Sequence, residues 1–297
     1  MALSPTSVDD DEVAMVEQFS DSPFDDSPAA LWRQYDALIF DLDGVVYAGA
    51  QPISHAVDVL AFLSTHSAPV WFATNNASRT ASQVAEHLSA MGVAVSADQV
   101  ITSSAACASY ISTSLPQVQK IRVIGADGIL PLLAELGIEV FAGKEDPTVV
   151  CEVVVQGHST KTDWQDLAAG FHSIVDGAAW IATNSDLTIP LEYGLAPGNG
   201  ALVAALAAAL GREPDVVIGK PHTPMFSFTQ QRTAAYNPLI IGDRRDTDIA
   251  WANDHRCASM LVDTGVDRIS DAVTSSRYQS TYLAPDLRSL LLYPAQS

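Results

Sequence analysis

The chain has 297 residues, of which 48% are hydrophobic and 17% charged, and 35 acidic against 15 basic side chains give a net charge of −20. This balance is typical of a globular protein with room for one large domain or two smaller ones. So acidic a surface repels phosphate backbones, which argues against a nucleic acid partner. No apolar run reaches the roughly 18 residues of a membrane-spanning helix, so no membrane partner is expected. An anionic ligand would need a locally positive site, made by a metal ion, a lysine or a helix N-terminus.

Residues 1–30 are predicted to form an acidic, disordered tail. Up to Ala29 they contain eight acids, no base and three Ser/Pro pairs, a composition typical of solvated segments. The N-terminus lacks the basic-then-apolar order of a signal peptide. Three cysteines, Cys107, Cys151 and Cys257, are scattered without metal-type spacing. They are expected to be buried free thiols in a reducing compartment, and the protein is expected to be cytoplasmic.

Short apolar runs alternate with amphipathic stretches from Leu31 onward. Their continuous hydrophobicity indicates parallel strands covered on both faces, and hence a layered α/β fold. The runs predicted to be strands are 37–41, 69–74, 121–125, 149–155, 178–183, 215–219, 238–242 and 258–262. Amphipathic stretches are found at 53–66 and 80–92, and a packed helix over 201–210 is expected to end at Gly211.

Polar side chains follow four of these strands. Ligands of open α/β sheets bind at the carboxyl ends of the strands, so Asp41, Thr74, Lys220 and Asp243 are expected to meet at one edge. Asp41 and Asp43 are two residues apart on an extended segment and can therefore face one pocket. Two close carboxylates repel unless a cation lies between them, and Mg²⁺ suits such oxygen ligands. The alternative for this pair is an ordinary acidic turn.

The segment FATNNASRT, 72–80, places hydroxyl, amide and backbone N–H groups at a strand-to-helix turn. Thr74, Asn75 and Asn76 could bind an anion there, or they could cap the following helix. Lys220, in IGKPHTPMF, is one of only four lysines in the chain. It could neutralise a phosphate and hold a carboxylate, or it could be an ordinary surface lysine.

The segment IIGDRRDTDIAWAND, 240–254, carries three aspartates within six residues. Asp243 could be a metal ligand, and Asp248 could cap the following helix or orient Lys220. The alternative is a solvated acidic helix start, which the helix dipole also favours.

Together and in this order, DxDGxxY, TNN, GKP and GDRxDTD resemble the four motifs of the haloacid dehalogenase superfamily of phosphohydrolases. From about residue 36 to the C-terminus, the chain is similar to the NagD-like branch, which includes p-nitrophenylphosphatase-like, phosphoglycolate and glycerol-phosphate phosphatases. Within that branch, the segments FATNNASR, GLAPGNG and TYLAPDLRSL are most similar to actinobacterial glycerol 3-phosphate phosphatases.

The resemblance implies a Rossmann-like core with a parallel sheet and an inserted α/β cap domain that selects the substrate. The core would comprise residues 31–103 and 214–297, and the cap residues 104–213. The segment 183–206 resembles the cap-to-core connection of the branch. Cap-mediated dimers are common in this branch, so a homodimer formed through the cap is plausible.

The resemblance also implies a role for each motif residue. Asp41 would be the nucleophile and Asp43 the general acid and base. Mg²⁺ would be held by three groups: the Asp41 carboxylate, the Asp43 backbone carbonyl and Asp243. The residues that would bind the phosphoryl oxygens are Thr74, Asn75, Asn76 and Lys220. Gly44 and Asp248 would support these groups.

Cap residues that reach the core would select the leaving group. The candidates are His158, Asn184, Asp186 and Glu192. Asn184 and Glu192 could instead hydrogen-bond the loops of the cap itself.

The leading hypothesis is therefore a Mg²⁺-dependent phosphomonoesterase that acts on a small phosphorylated metabolite, with glycerol 3-phosphate as the best substrate candidate. The same chemistry could serve phosphoglycolate, a sugar phosphate, a nucleoside monophosphate or pyridoxal phosphate. A further alternative is a protein that senses a phosphorylated ligand without catalysis. Because all three motif aspartates are present, the enzyme is favoured over the sensor.

Overall fold

The structure is a computed structural model that describes residues 14–15, 29–191, 194–271 and 273–292. Its strands are β1 Ala14–Met15, β2 Ala37–Phe40, β3 Tyr47–Ala48, β4 Gln51–Pro52, β5 Val70–Thr74, β6 Val100–Thr102, β7 Lys120–Ile124, β8 Glu139–Ala142, β9 Val153–Gln156, β10 Ala179–Ala182, β11 Thr188–Leu191, β12 Gly194–Pro197, β13 Val216–Val217, β14 Pro238–Gly242, β15 Ala258–Val262 and β16 Tyr282–Ala284. Its α-helices are α1 Ala56–Thr65, α2 Ala81–Ala90, α3 Ser103–Ser114, α4 Leu130–Glu135, α5 Trp164–Val175, α6 Asn199–Leu210, α7 Thr223–Thr233 and α8 Ala250–Asp254.

Seven strands form a parallel core sheet in the order β1-β16-β15-β14-β2-β5-β6. Every residue of β2 and β14 is buried, as expected for strands covered on both faces. One face packs α1 and α2 against Phe40 and Phe72, and the other packs α3 and α8 against Ile39. Because β14, β2 and β5 are neighbours, the residues that follow them meet at one edge of the sheet.

Five further strands form a second parallel sheet in the order β13-β10-β9-β7-β8. All of them lie between β6 and β14 in the chain, so this sheet is inserted into the core. The predicted fold class, a parallel α/β core with an inserted α/β cap, is confirmed. The boundaries at residues 103/104 and 213/214 remain predictions, and β13 lies just past the second.

The predicted strands are observed with small shifts at their ends. One differs in its place: the run 215–219 was grouped with the core, but β13 pairs with β10 in the second sheet. Strands β6, β8 and β16 were not predicted. The hairpins β3–β4 and β11–β12 were also missed.

Local signals explain the helix ends. Thr80 caps α2 by accepting from the Gln83 N–H, and the Gln83 side chain accepts from the Thr80 N–H in return, which is a capping box. Helix α6 ends at Gly211 as predicted, with φ of +69°. Glycine adopts that left-handed conformation without steric cost.

Part of the acidic tail is described, and it is not a free coil there. Ala14–Met15 pair in parallel with β16 and extend the edge of the core sheet. The rest of the predicted tail, 1–13 and 16–28, lies outside the described residues. Cys107 and Cys151 are buried free thiols, and Cys257 is a half-buried one. Within the described ranges, none of the helices has the length and apolar character needed to cross a membrane.

Candidate active site

The two carboxylates of the first motif lie at the carboxyl end of β2. The Asp41 N–H donates to the Ile241 carbonyl at 2.8 Å, which continues the pairing of β2 with β14 by one residue. The chain then turns at Gly44, which has φ of +89°, and Tyr47 returns to form a bridge with Asp43. The expectation that both carboxylates face one pocket stays a prediction.

Lys220 lies buried between carboxylates from two other segments. Its Nζ is 2.5 Å from Asp41 Oδ1 and 2.6 Å from Asp248 Oδ1, and it donates to the Ala73 carbonyl at 3.0 Å. Only 3% of its side chain is exposed. The interpretation as a surface lysine is wrong. Lys220 reaches the core edge from β13 of the second sheet, not from a strand of the core.

Asp243 follows β14 and is enclosed by backbone. A Cβ atom at Gly44 would lie 2.3 Å from Asp243 Oδ2, and one at Gly265 only 1.9 Å from it, so both positions require glycine. The Val266 N–H donates to the same Oδ2 at 2.7 Å. The other oxygen, Oδ1, is buried without a hydrogen-bond partner. A buried carboxylate oxygen is costly to leave unpaired, so Oδ1 is suited to bind a cation.

A divalent cation fits the charges of this cluster. Carboxylate oxygens of Asp41, Asp243 and Asp248 lie within 4.8 Å of one another. Three carboxylates and the Lys220 ammonium leave two negative charges, which one divalent ion would neutralise. Oxygen donors are the ligands that hard divalent ions prefer. Both oxygens of Asp248 accept hydrogen bonds, Oδ1 from Lys220 and Oδ2 from the Arg244 N–H and the Thr247 hydroxyl. Asp41 and Asp243 are therefore the carboxylates best placed to hold the ion.

The electrostatics of the site follow from its burial. Burial raises the pKa of Asp41 well above its usual range, and Lys220 opposes this rise. Burial, with the nearby charge of Asp248, raises the pKa of Asp243 to about 7. Burial works against the charge of Lys220, but Asp248 and Asp41 outweigh it and raise the pKa of the ammonium. Lys220 is therefore held in its charged form.

Asp43 has a different environment from Asp41. Burial raises its pKa, and the hydroxyl of Tyr47 opposes that rise. The Tyr47 hydroxyl lies 3.4 Å from Asp43 Oδ2, and its ring packs edge-on against His87 of α2. Asp43 therefore holds a proton more readily than a free carboxyl group does, as a general acid requires.

The TNN turn continues from β5, beside the carbonyl that binds Lys220. Thr74 Oγ1 accepts from the Asn76 N–H at 3.1 Å, and Asn76 Oδ1 accepts from both the N–H and the hydroxyl of Ser78. The Asn75 amide binds the backbone of Lys220. These contacts show that the turn is built by its own side chains. The cap of α2 is Thr80, so the alternative role of these residues as a helix cap is wrong.

The structure brings two of the four cap candidates to this edge. Asp186 Oδ1 accepts from Asn75 Nδ2 at 3.0 Å. Asn184 Nδ2 donates to the Asn75 carbonyl at 2.8 Å, and Asn184 Oδ1 accepts from the Asp186 N–H. His158 follows β9, where burial lowers its pKa, and its described contact is with the insert, through a backbone bond to Ala126. Glu192 lies outside the described residues.

Two polar residues of the site were not singled out from the sequence. Tyr47 is the last position of the DxDGxxY motif, but only the fold shows that its hydroxyl faces Asp43. Arg244 follows Asp243 and pairs with Asp246 through two bonds. Burial raises the pKa of Asp186 and of Asp243, and the charge of Arg244 opposes both rises. The position of Arg244 beside a motif aspartate was the available signal.

A parallel core with an α/β insert, and a lysine between aspartates at the carboxyl edge of the core, define a class of phosphate-ester hydrolases. The model of the haloacid dehalogenase-like hydrolases matches residues 38–139, and a second model, described as HAD-hydrolase-like, matches residues 217–290. The chain belongs to the haloacid dehalogenase-like hydrolases, and it is a phosphatase that acts on phosphate monoesters.

Among its relatives is the D-glycerol 3-phosphate phosphatase of Mycobacterium tuberculosis, 38% identical over 87% of this chain and 71% of the relative. An acid sugar phosphatase of Staphylococcus epidermidis is 32% identical over 86% of this chain and 96% of its own. The 5'-nucleotidase YutF of Bacillus subtilis is 32% identical over 88% and 99% of the two chains. The three names all describe hydrolysis of a phosphate ester, and they differ in the alcohol part of that ester.

Solved structures agree with the fold. The glycerol phosphate phosphatase from Mycobacterium tuberculosis in complex with magnesium superposes with a TM-score of 0.82, at 37% identity over 90% of this chain and 80% of that one. The complex of the same enzyme with calcium gives a TM-score of 0.80, at 38% identity over 88% and 76% of the chains.

Proposed function

We propose that this phosphatase is a Mg²⁺-dependent glycerol 3-phosphate phosphatase that works through an aspartyl-phosphate intermediate. The observation that carries the mechanism is the position of Asp41. Its carboxylate ends a core strand, touches the Lys220 ammonium at 2.5 Å, and lies within 4.8 Å of the oxygens of Asp243 and Asp248. A carboxylate held in place beside a cationic group is suited to attack phosphorus.

The chain's own residues divide the reaction between them. Asp41 attacks phosphorus and forms the aspartyl-phosphate, while Asp43 gives a proton to the leaving alkoxide. Asp43 then takes a proton from the water that hydrolyses the intermediate, which returns Asp41 to its free form. The negative charge of the phosphoryl group is balanced by Lys220, and its oxygens are held by Thr74 and the Asn75–Asn76 turn.

Asp41, the Asp43 backbone carbonyl and Asp243 would hold Mg²⁺ at this edge. When bound, the ion supplies positive charge that screens the nucleophile from the phosphate and offsets charge in the transition state. The unpaired Oδ1 of Asp243 and the two excess negative charges of the cluster support this assignment.

The choice of substrate is supported by the relative of 38% identity, which is named a D-glycerol 3-phosphate phosphatase. Other relatives are named for sugar phosphates and nucleotides, so these esters are the competing substrates. An enzyme is favoured over a non-catalytic sensor because Asp41, Asp243 and Lys220 lie in one charged cluster, and Asp43 lies two residues from Asp41.

The test is release of phosphate, with Mg²⁺ and with EDTA, from a panel of phosphate monoesters. The panel holds both stereoisomers of glycerol phosphate, phosphoglycolate, pyridoxal phosphate, sugar phosphates and nucleotides. Asp41→Asn should lower kcat by about 10⁴-fold or more. Asp36→Asn is the matched control, because it removes a carboxylate from just before β2, at the opposite edge of the sheet, where Asp36 accepts from the N–H groups of Tyr236 and Asn237.

We expect release that requires Mg²⁺, is highest for one glycerol 3-phosphate isomer, is lost in Asp41→Asn and persists in Asp36→Asn. A higher kcat/KM for another ester would keep the mechanism and replace the substrate. No release from any ester would favour the sensor.

A further inference from the structure

Both ends of the Asn75 side-chain amide bind the backbone of Lys220. Oδ1 accepts from the Lys220 N–H at 2.7 Å, and Nδ2 donates to the Lys220 carbonyl at 3.1 Å. This pair of bonds resembles the pairing of neighbouring strands, although 145 positions separate the two residues. The Lys220 backbone therefore cannot shift without breaking both bonds, and its position determines where Nζ lies between Asp41 and Asp248.

The same residue also binds a segment that follows a strand of the inserted sheet. This segment, 184–186, follows β10. Asn75 Nδ2 donates to Asp186 Oδ1 at 3.0 Å, and the Asn75 carbonyl accepts from Asn184 Nδ2 at 2.8 Å. One residue of the core thus contacts both the buried lysine and the segment 184–186 of the insert.

The Asn75 side chain has no donor left for a ligand. An asparagine amide carries two donor hydrogens, and both are used, on Lys220 and on Asp186. Its oxygen is closed off by backbone, because a Cβ atom at Gly219 would lie 2.5 Å from Oδ1. The residue is only 8% exposed. Any contribution of Asn75 to phosphate binding is therefore left to its backbone.

We propose that Asn75 is a positioning residue whose side chain fixes Lys220 relative to Asp41 and joins the segment 184–186 to it, without binding a phosphoryl oxygen. The inference deepens the proposed function and rests on it, since it takes Lys220 as a group that binds the phosphoryl oxygens. It makes placement of the lysine depend on the segment 184–186 of the insert.

Exchanging the amide of Asn75 and the carboxylate of Asp186 tests this proposal. In Asn75→Asp, one carboxylate oxygen still accepts from the Lys220 N–H, but the other faces the Lys220 carbonyl and the Asp186 carboxylate. We expect kcat to fall about 30-fold. Adding Asp186→Asn places an amide opposite the new carboxylate and should recover about tenfold of that loss.

Two controls separate this pairing from a general change of charge or of stability. Asp246→Asn removes a carboxylate that pairs with Arg244 at 2.9 Å and does not touch Asn75, so it should give no recovery in Asn75→Asp. Ser103→Ala removes the 2.7 Å bond from Ser103 Oγ to the Asn75 carbonyl. It should lower the melting temperature and leave kcat within about threefold.

Recovery with Asp186→Asn and none with Asp246→Asn supports the proposal. Equal recovery with both, or none with either, overturns it, as does a loss of kcat in Ser103→Ala as large as that in Asn75→Asp. Absence of activity in the unmodified protein would instead refute the proposed function. The link between Asn75 and Asp186 would then be decided by melting temperature, which only the Asp186→Asn exchange should restore.

Discussion

Arg122 in the inserted sheet and Lys220 at the core edge are both buried cations, but different acceptors surround them. Arg122 is fully buried and donates to Ser173 Oγ and to the carbonyls of Gly143, Glu145 and Asp146. Within the described residues it has no carboxylate ion-pair partner. Lys220 binds two carboxylates and one carbonyl.

The difference follows from what each acceptor can do. Backbone carbonyls are fixed dipoles that do not react. Their bonds to Arg122 therefore only hold the 143–146 loop against β7. A carboxylate can attack phosphorus, bind a cation or take up a proton. The neighbours of Lys220 are therefore reactive groups, which also repel one another where burial makes charge costly. Removing each cation should accordingly harm different properties.

Among the variants that test this comparison, Lys220→Met should have the largest effect on activity. This variant removes the charge that balances Asp41 and the phosphoryl group, so kcat should fall about 10³-fold at temperatures where the protein is still folded. Phosphate release measured beside a melting curve checks this. Activity within tenfold of the unmodified protein would show that Lys220 takes no part in the reaction. The proposed difference between Lys220 and Arg122 would then be wrong.

The reverse result is expected from Arg122→Met. It removes the donor to Ser173 and to three carbonyls, of which only that of Asp146 keeps another, the Val149 N–H. The free energy of unfolding should therefore fall by about 3 kcal/mol. Below the melting temperature, kcat should stay within about threefold, because Arg122 touches no residue of the site.

Denaturant unfolding measures this loss, with Lys120→Met as the matched control in the same strand. Lys120 is exposed and lies 3.6 Å from Glu139, so its removal should change the free energy of unfolding by less than about 0.5 kcal/mol. Equal losses in the two variants would show that burial of the guanidinium contributes nothing.

The smallest of these expected losses is that of kcat in Tyr47→Phe. This variant tests how much an uncharged hydrogen-bond donor contributes at the charged edge of the core sheet. Loss of the 3.4 Å contact with Asp43 should lower kcat about threefold to tenfold, since a neutral hydrogen bond contributes about 1 kcal/mol. Tyr35→Phe is the control, because it removes a hydroxyl that lies 3.0 Å from Tyr282, away from the site. A loss of 10³-fold in Tyr47→Phe would mean that neutral neighbours matter as much as charged ones.

The charged groups of the core edge could be predicted from the sequence. The hydrogen bonds that hold buried cations in place could not. Asp41 and Asp243 follow long apolar runs, so pattern alone placed them at strand ends. Arg122 lies inside the run IRVIG and gave no signal, because its acceptors are backbone atoms of a distant loop. The bonds of Asn75 to Lys220 depend on how two distant segments pack, which no local pattern encodes. For the same reason, Lys220 was predicted on the correct edge but on the wrong sheet.

The position of β2 between β5 and β14 has a consequence for biosynthesis. Ala37 pairs with Pro238, so one side of this apolar strand has no partner until about 200 further residues have been made. All strands of the inserted sheet lie between Lys120 and Val217 and leave the ribosome earlier. Because units with local contacts fold first, the insert can be complete while the ALIF edge is still open. Until β14 is made, that open edge is exposed to wrong pairing.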